Sequence, residues 1–307
     1  MQPTVAIILV NWNGLEVTRN CIDSLKSLHY TNHSVIVVDN ASTDGSADIL
    51  EKEYPHITLL RSPVNSGFAG GNNIGFRYAF QKGFEYLLML NNDTLVEPTF
   101  LCHLVSYMEE YPDTGVIQPR IHFEHDKNLM WNSGSFYAKF WGFLYTRRTG
   151  QPPIAADLKI KQVDWVTGCA FLTRSSLLQQ TGLLAENMFM YSEDVDLSFR
   201  IAKKGLKLVY HPAALIYHIA GMSNKSANKG KEGFVHPLVH YYNQRNRIWV
   251  LKKYTPAYAL ITTILANFFY ISLIIGYFAI RGRFNKLKAV LRAVKDGLLG
   301  SIENQPL

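Results

Sequence analysis

Cysteine is scarce: Cys21, Cys102 and Cys169 are scattered over 307 positions without CxxC spacing. This argues against a disulfide framework and against a thiolate zinc site. Charge is also thin, at 18% of residues, and between Arg245 and Lys295 ten Lys and Arg stand with no Asp or Glu. The net charge of +7 is therefore localised, because the other 21 cations meet 24 acids. A basic cluster bracketing an apolar segment points to an anionic membrane, whereas a generally basic chain would point to nucleic acid. No aromatic-interleaved basic stripe or nucleic-acid motif occurs elsewhere, so no nucleic-acid partner is expected. The opening MQPTVAIILVNWNG lacks the basic region and cleavage pattern of a signal peptide, which puts the folded part on the cytoplasmic side as an expectation. Also missing are GxGxxG with a distal acid and GxxxxGK[ST], and no motif indicates a Ser/His/Asp triad.

What is present is an alternation of short apolar runs and amphipathic stretches. Val5–Val10 ends in Asn11-Trp12-Asn13-Gly14 before a helical stretch from Leu15 to Leu28; Val35–Val38 ends in Asp39 to Ser46 before a helix to Tyr54. Ile57–Leu60 leads into Asn65-Ser66-Gly67-Phe68-Ala69-Gly70-Gly71-Asn72-Asn73 and a helix to about Lys82. Tyr86–Leu90 is apolar throughout and stops at Asn91-Asn92-Asp93. Such alternation predicts an α/β fold with a mostly parallel sheet and right-handed crossovers. The polar strand ends then share the carboxyl edge, where open α/β sheets bind ligands.

Each end has a chemical use and a plainer one. Asp39 can accept hydrogen bonds from a base or a ribose, or merely cap a turn. Asp93 offers hard oxygen to a divalent cation, or closes a turn before the helix predicted from Pro98 to Tyr111. The glycine-rich stretch, expected as a loop before a helix, lets backbone amides approach an anion. Beyond Val116–Gln118, a predicted strand, Ile121–Asp157 is irregular and aromatic-rich, suited to stacking a sugar or to core packing. Val163–Arg174 reads as two short strands about Gly168. Glu193, Asp194 and Asp196 crowd a helix start, where the dipole favours carboxylates and a general base can also sit. Leu206–Tyr210 is another strand, and His218 follows in apolar surroundings.

These stretches in order resemble the family 2 inverting glycosyltransferases of the GT-A fold, most closely a bacterial rhamnosyltransferase-like branch. The likeness rests on VNWNG (Val10–Gly14), VVDNASTDGS (Val37–Ser46), NSGFAGGNN (Asn65–Asn73), LNNDT (Leu90–Thr94), GCAFLTR and EDVDLSFR (Glu193–Arg200). It implies that Asp39 holds the base, with Val10, Asn11, Asn13, Asn65, Gly67, Phe68, Gly71, Asn72 and Asn92 around the nucleotide-diphospho sugar. It implies a divalent metal, Mg²⁺ or Mn²⁺, on Asp93, Asn91 and His218; Asn91 stands where the family has an acid. Asp194 matches the general base, beside Glu193, and Trp165 and Gly168 fall to a lipid-linked saccharide acceptor. Two alternatives remain open: a membrane-anchored scaffold that binds nucleotide sugar without turnover, and a sugar nucleotidyltransferase. The latter normally carries a Gly- and Arg-rich signature after the first strand.

The expected organisation is a nucleotide-sugar half over 1–115, an acceptor half over 116–222, a basic linker and helix over 223–253, and membrane-associated helices over 254–307. Asn224–Gly233 reads as a mobile polar loop and His240–Lys253 as a basic amphipathic helix. Tyr254–Ile280 is 27 residues without charge, enough to cross a bilayer. Basic residues flank both ends, so a hairpin broken near Asn267 or Gly276 competes with a span. Phe284, Leu287, Leu291, Val294 and Leu298 recur at helical spacing among lysines, as in a helix lying on an anionic surface. The expected location is the cytoplasmic face of a bacterial inner membrane.

Overall fold

A computed structural model describes residues 2–219, 225–230 and 232–303. The first half follows the alternation: β1 (Val5–Asn11), α1 (Leu15–Leu25), β2 (His33–Asp39), α2 (Ser46–Glu53), β3 (Thr58–Arg61), α3 (Gly67–Gln81) and β4 (Tyr86–Leu90). A short β5 (Thr94–Val96) precedes α4 (Phe100–Glu110) and the long β6 (Thr114–Phe123). Then come β7 (Met130–Asn132), β8 (Ser135–Ala138), β9 (Phe143–Thr146), β10 (Lys161–Gln162), β11 (Ala170–Arg174), α5 (Ser175–Thr181), α6 (Glu193–Lys203) and β12 (Lys207–His218). The chain closes with β13 (Lys225–Gly230), β14 (Gly233–Val235), α7 (Pro237–Tyr254), α8 (Leu260–Ile280) and α9 (Phe284–Leu299).

The central sheet runs β10-β12-β6-β11-β4-β1-β2-β3, with β5 on β12 and β7 on β6. Pairing is parallel through β4-β1-β2-β3 and between β6 and β12. β11 lies antiparallel between β4 and β6. The reversal matters for the site, because it puts the start of β11 at the edge where β1, β2, β4 and β12 end.

Every residue of β4 is buried, as expected of a strand covered on both faces. On β1, Val5, Ile7 and Leu9 join one apolar cluster and Ala6 and Ile8 the other. Burying each large side chain contributes about 1.5–3 kcal/mol. The two-residue period of the strand thus builds a core on both sides of the sheet.

Several expectations need correction. The glycine-rich stretch is not a loop: α3 begins at Gly67. Its glycines let the helix approach β1, since a Cβ on Gly71 would stand 2.8 Å from Val10 Cγ1 and one on Gly75 2.5 Å from Ile8 Cγ2. Only Ala170–Arg174 of the segment about Gly168 is a strand, because Val163 bonds across to Leu208 and Trp165 bridges Ser135. Within Ile121–Asp157, β7 extends the sheet and β8 pairs with β9. Of Asn224–Gly233, Asn224 and Lys231 lie outside the described residues, and β13 pairs with β14 instead of forming a loop.

The carboxyl-terminal helices differ too. α8 is one unbroken helix through both Asn267 and Gly276; Asn267 turns inward, its Nδ2 donating to the Trp141 carbonyl at 3.2 Å. α7 is the helix expected over His240–Lys253, and it buries Arg245, Asn246, Trp249 and Val250. α9 packs Lys286, Val290, Ala293 and Gly297 inward and leaves Phe284, Leu291 and Leu298 exposed.

Candidate active site

The carboxyl edge carries a hydrogen-bonded framework and, beside it, a cavity of about 700 Å³. Asn11 ends β1 fully buried, and its Nδ2 donates to Asp39 Oδ1 at 2.9 Å and Ser46 Oγ at 2.7 Å. Its Oδ1 accepts from the Thr18 hydroxyl at 3.0 Å. Asp39, ending β2, uses its other oxygen to accept from Ser42 N at 3.1 Å. Asn13 is left-handed at φ 52° and accepts from Thr43 N at 2.7 Å.

The same economy governs the neighbouring amides. Asn65 Oδ1 accepts from Gly67 N at 2.9 Å, and Asn72 donates to the Phe68 carbonyl at 2.9 Å. Asn92 Nδ2 donates to the Thr18 hydroxyl at 2.7 Å. Gly67 has φ +74°, and a Cβ there would stand 2.4 Å from the Phe189 carbonyl oxygen. None of Val10, Asn11, Asn13, Asp39, Asn65, Gly67, Gly71, Asn72 and Asn92 lines the cavity. They build the ledge beside it.

The other candidates do meet there: Phe68, Asn91, Asp93, Trp165, Gly168, Glu193, Asp194 and His218 all face the cavity. Asp93 follows β4 and His218 ends β12, and Asp93 Oδ1 lies 3.0 Å from His218 Nε2. Burial pulls the imidazole pKa down, but the sulfur of Cys169 and the carboxylate of Asp93 overcome it and raise it to about 10. Asn91 Oδ1 and His218 Nδ1 are buried with no hydrogen-bond partner. A carboxylate, an orphaned amide oxygen and, once deprotonated, the imidazole fit a divalent cation, although no group of three His, Cys, Asp or Glu placed to hold a metal ion exists among the described residues.

On the facing side, α6 starts at Glu193 after Ser192, left-handed at φ 68°. Asp194 Oδ2 accepts from Gly168 N at 2.6 Å and Oδ1 from Val195 N at 2.8 Å. Burial outweighs these bonds and raises its pKa to about 6. Glu193 is raised further from the carboxylate range, by burial and then by Asp194, and its Oε2 has no partner. Burial thus pushes both carboxyls of the pair upward, and Asp194, at about 6, is able to take a proton near neutrality. Asp196 faces elsewhere, held by Arg200 and Lys253, each at 2.9 Å, and by the Tyr254 hydroxyl at 2.6 Å. It ties α6 to α7.

The sequence reading missed the part of the cavity wall that α7 and α8 supply. His240, Asn243, Gln244 and Arg247 of α7 line it, with Tyr270 of α8, Leu144–Thr146 of β9 and Trp131 of β7. The signal was available as polar residues at i, i+3, i+4 and i+7, but the surrounding basic residues suggested a lipid-facing surface.

Comparison with known proteins agrees with this architecture. A family model described as Glycosyl transferase family 2 matches residues 6–181. An N-acetylglucosaminyl-diphospho-decaprenol L-rhamnosyltransferase of Mycobacterium tuberculosis is 26% identical over 235 residues, covering 68% of this chain and 72% of that protein. The dTDP-rhamnosyl transferase RfbF of Shigella flexneri is 22% identical over 305 residues, covering 98% and 97%. Among solved structures, the mannosyltransferase PcManGT of Pyrobaculum calidifontis, in complex with GDP-Man and Mn²⁺, superposes with a TM-score of 0.58 at 15% identity. That match covers 97% of this chain and 88% of the other. The fold is that of the GT-A glycosyltransferases.

Proposed function

The chain belongs to glycosyl transferase family 2, and on that premise we propose that it transfers a sugar, with inversion, from a nucleotide-diphospho donor to a lipid-linked saccharide in cell-envelope polysaccharide synthesis. L-Rhamnose from dTDP-rhamnose is the donor that the two rhamnosyltransferase relatives favour. The observation that carries this reading is Asp194, hydrogen-bonded at 2.6 Å to Gly168 N in a cavity it shares with Asp93 and His218. Asp194 takes the proton from an acceptor hydroxyl as that oxygen attacks the anomeric carbon. The bond to the diphosphate oxygen breaks on the opposite face, and the carbon inverts in one displacement. Asp39 and its neighbours hold the nucleotide at the ledge. Asp93, Asn91 and His218 would hold a divalent cation, which supplies charge to offset the leaving diphosphate. Trp165 and Gly168 serve the acceptor, and Glu193 stands beside Asp194 in the same cavity.

A membrane location is part of the same reading. Ala257–Ile280 is long and apolar enough to cross a bilayer, and Ile261, Phe268 and Phe269 are 74%, 72% and 65% exposed. An apolar face this bare is expected to be covered by lipid.

The test is transfer of label from a panel of nucleotide sugars into membrane lipid extract, with Mg²⁺, Mn²⁺ or chelator, for wild type, Asp93→Ala and Asp194→Asn. Transfer from one donor, lost with chelator and in both variants, supports the roles. Variants as active as wild type would overturn them. Nucleotide-sugar binding with no transfer from any donor would favour the scaffold alternative.

A further inference from the structure

Arg247 is a half-buried cation in the cavity wall, and no carboxylate pairs with it among the described residues. Its Nε and Nη2 donate to Asn267 Oδ1 at 2.9 and 2.6 Å, and Nη2 also reaches the Gly142 carbonyl at 3.2 Å. The guanidinium lies over the rings of Phe143 and Tyr270, 4.8 and 4.6 Å from their centroids. Neutral acceptors and aromatic faces thus fix its plane on one side while its charge stays unmatched. Burying an unmatched charge is costly, which makes the position one that a bound anion would stabilise.

Two more side chains on the same face of α7 are similarly unfinished. Gln244 is 7% exposed and its Oε1 has no partner; an amide there can present either end. His240 Nε2 is buried and unpartnered too. At i, i+4 and i+7, the three make a polar stripe facing the cavity.

The wall continues into lipid-facing surface. Tyr270, which packs under Arg247, belongs to α8, the helix that bares Leu265, Phe268, Phe269 and Leu273. A ligand with its anionic group against Arg247 therefore has an apolar helix beside it for a hydrocarbon tail.

We infer that Arg247, with Gln244 and His240, is the phosphate subsite of the acceptor: it grips the phosphate linking a saccharide to its lipid, while the tail leaves along α8. This rests on the glycosyl-transfer reading above and assigns the acceptor's class as a lipid phosphate or diphosphate. The donor is the other source of a diphosphate, and the experiment separates the two.

The probes are farnesyl diphosphate, farnesol and dTDP, titrated into the purified full-length chain in detergent and followed by calorimetry. Wild type should bind farnesyl diphosphate at least tenfold more tightly than farnesol. Arg247→Gln should weaken farnesyl diphosphate about 10- to 100-fold, the range for losing hydrogen bonds to a charged group, and leave dTDP unchanged. Arg247→Lys keeps the charge without the planar fork and should fall between. If Arg247→Gln does not fold, Gln244→Leu carries the same comparison with a smaller expected loss. Equal loss of dTDP and farnesyl diphosphate would make this the donor's site and overturn the inference; so would farnesyl diphosphate binding that ignores both substitutions. Failure of wild type to bind dTDP would instead strike the dTDP-rhamnose donor assignment.

Discussion

Asn246 on α7 donates to the carbonyl oxygen of Tyr191 at 2.8 Å, three residues before Asp194, and Nδ2 is shared with the carbonyls of Met190 and Met188 at 2.8 and 2.9 Å. The segment it grips is strained: Phe189, Tyr191 and Ser192 have φ of 65°, 70° and 68°, where non-glycine residues cost of order 1–3 kcal/mol each. A buried amide on one helix thus fixes the backbone that aims the start of another.

Asn246→Ala removes that grip from the Met190 and Tyr191 carbonyls, while the Met188 carbonyl keeps its bond from Arg245 Nη2 at 3.0 Å. It should destabilise the fold by about 2–4 kcal/mol and lower kcat more than it raises the donor KM. Chemical denaturation and steady-state kinetics check both. A variant with normal kcat would show that the strained segment holds itself.

The pH dependence of transfer should report Asp194. With its pKa raised to about 6 by burial, the base is ionised above that value and protonated below it. The expected kcat/KM is flat above about pH 6 and falls tenfold per unit below, measured from pH 4.5 to 8.5. An acid limb near 4 would mean that a different carboxylate takes the proton.

The same shift bears on stability, with the opposite sense. The folded state holds the Asp194 proton more tightly than the unfolded chain, whose value is near 3.8. Stability is therefore lost as pH rises from about 4 to about 6 and stays lost above. Asp194→Asn abolishes this term, roughly 1–3 kcal/mol, so its melting temperature relative to wild type should be higher at pH 8 than at pH 4. Turnover should drop by about 10²–10⁴, with donor binding retained.

Gly75 and Gly276 make a matched pair of helix glycines. A Cβ on Gly75 would stand 2.5 Å from Ile8 Cγ2 in the core, whereas one on Gly276 meets nothing within 4 Å. Gly75→Ala should cost about 1–3 kcal/mol by overpacking, and Gly276→Ala should stabilise by about 0.5–1 kcal/mol. Denaturant midpoints decide it.

Membrane association is open to a direct test by flotation with phosphatidylglycerol vesicles. Changing Phe268 and Phe269 together to Glu should reduce partitioning tenfold or more, since each buried aromatic contributes about 1.5–3 kcal/mol. Raising salt alone should remove less, because it screens only the lysine and arginine contribution. Full retention by the double variant would place the anchor elsewhere.

What the sequence by itself determined is what local physics writes locally. The strand–turn–helix alternation through Leu90, the buried β4 and the polar strand ends follow from side-chain periods of two and 3.6. Order along the chain also brought Asp93 and Asp194 forward as candidates. The glycines of α3 misled, since small residues wanted for close packing on β1 look the same in a string as glycines wanted for a loop.

Only the tertiary structure decided the rest. His218 meets Asp93 at 3.0 Å because β5, which follows Asp93 directly, pairs antiparallel with the end of β12 and sets Thr94 opposite His218, over a separation that no periodicity encodes. Gly168 reaches Asp194 because β11 runs against its neighbours. The stripe on α7 faces the cavity because Arg245 and Asn246 anchor that helix to the carbonyls of 187–191. Local composition determines which side chains are polar; which of them share a cavity depends on strand order and helix docking.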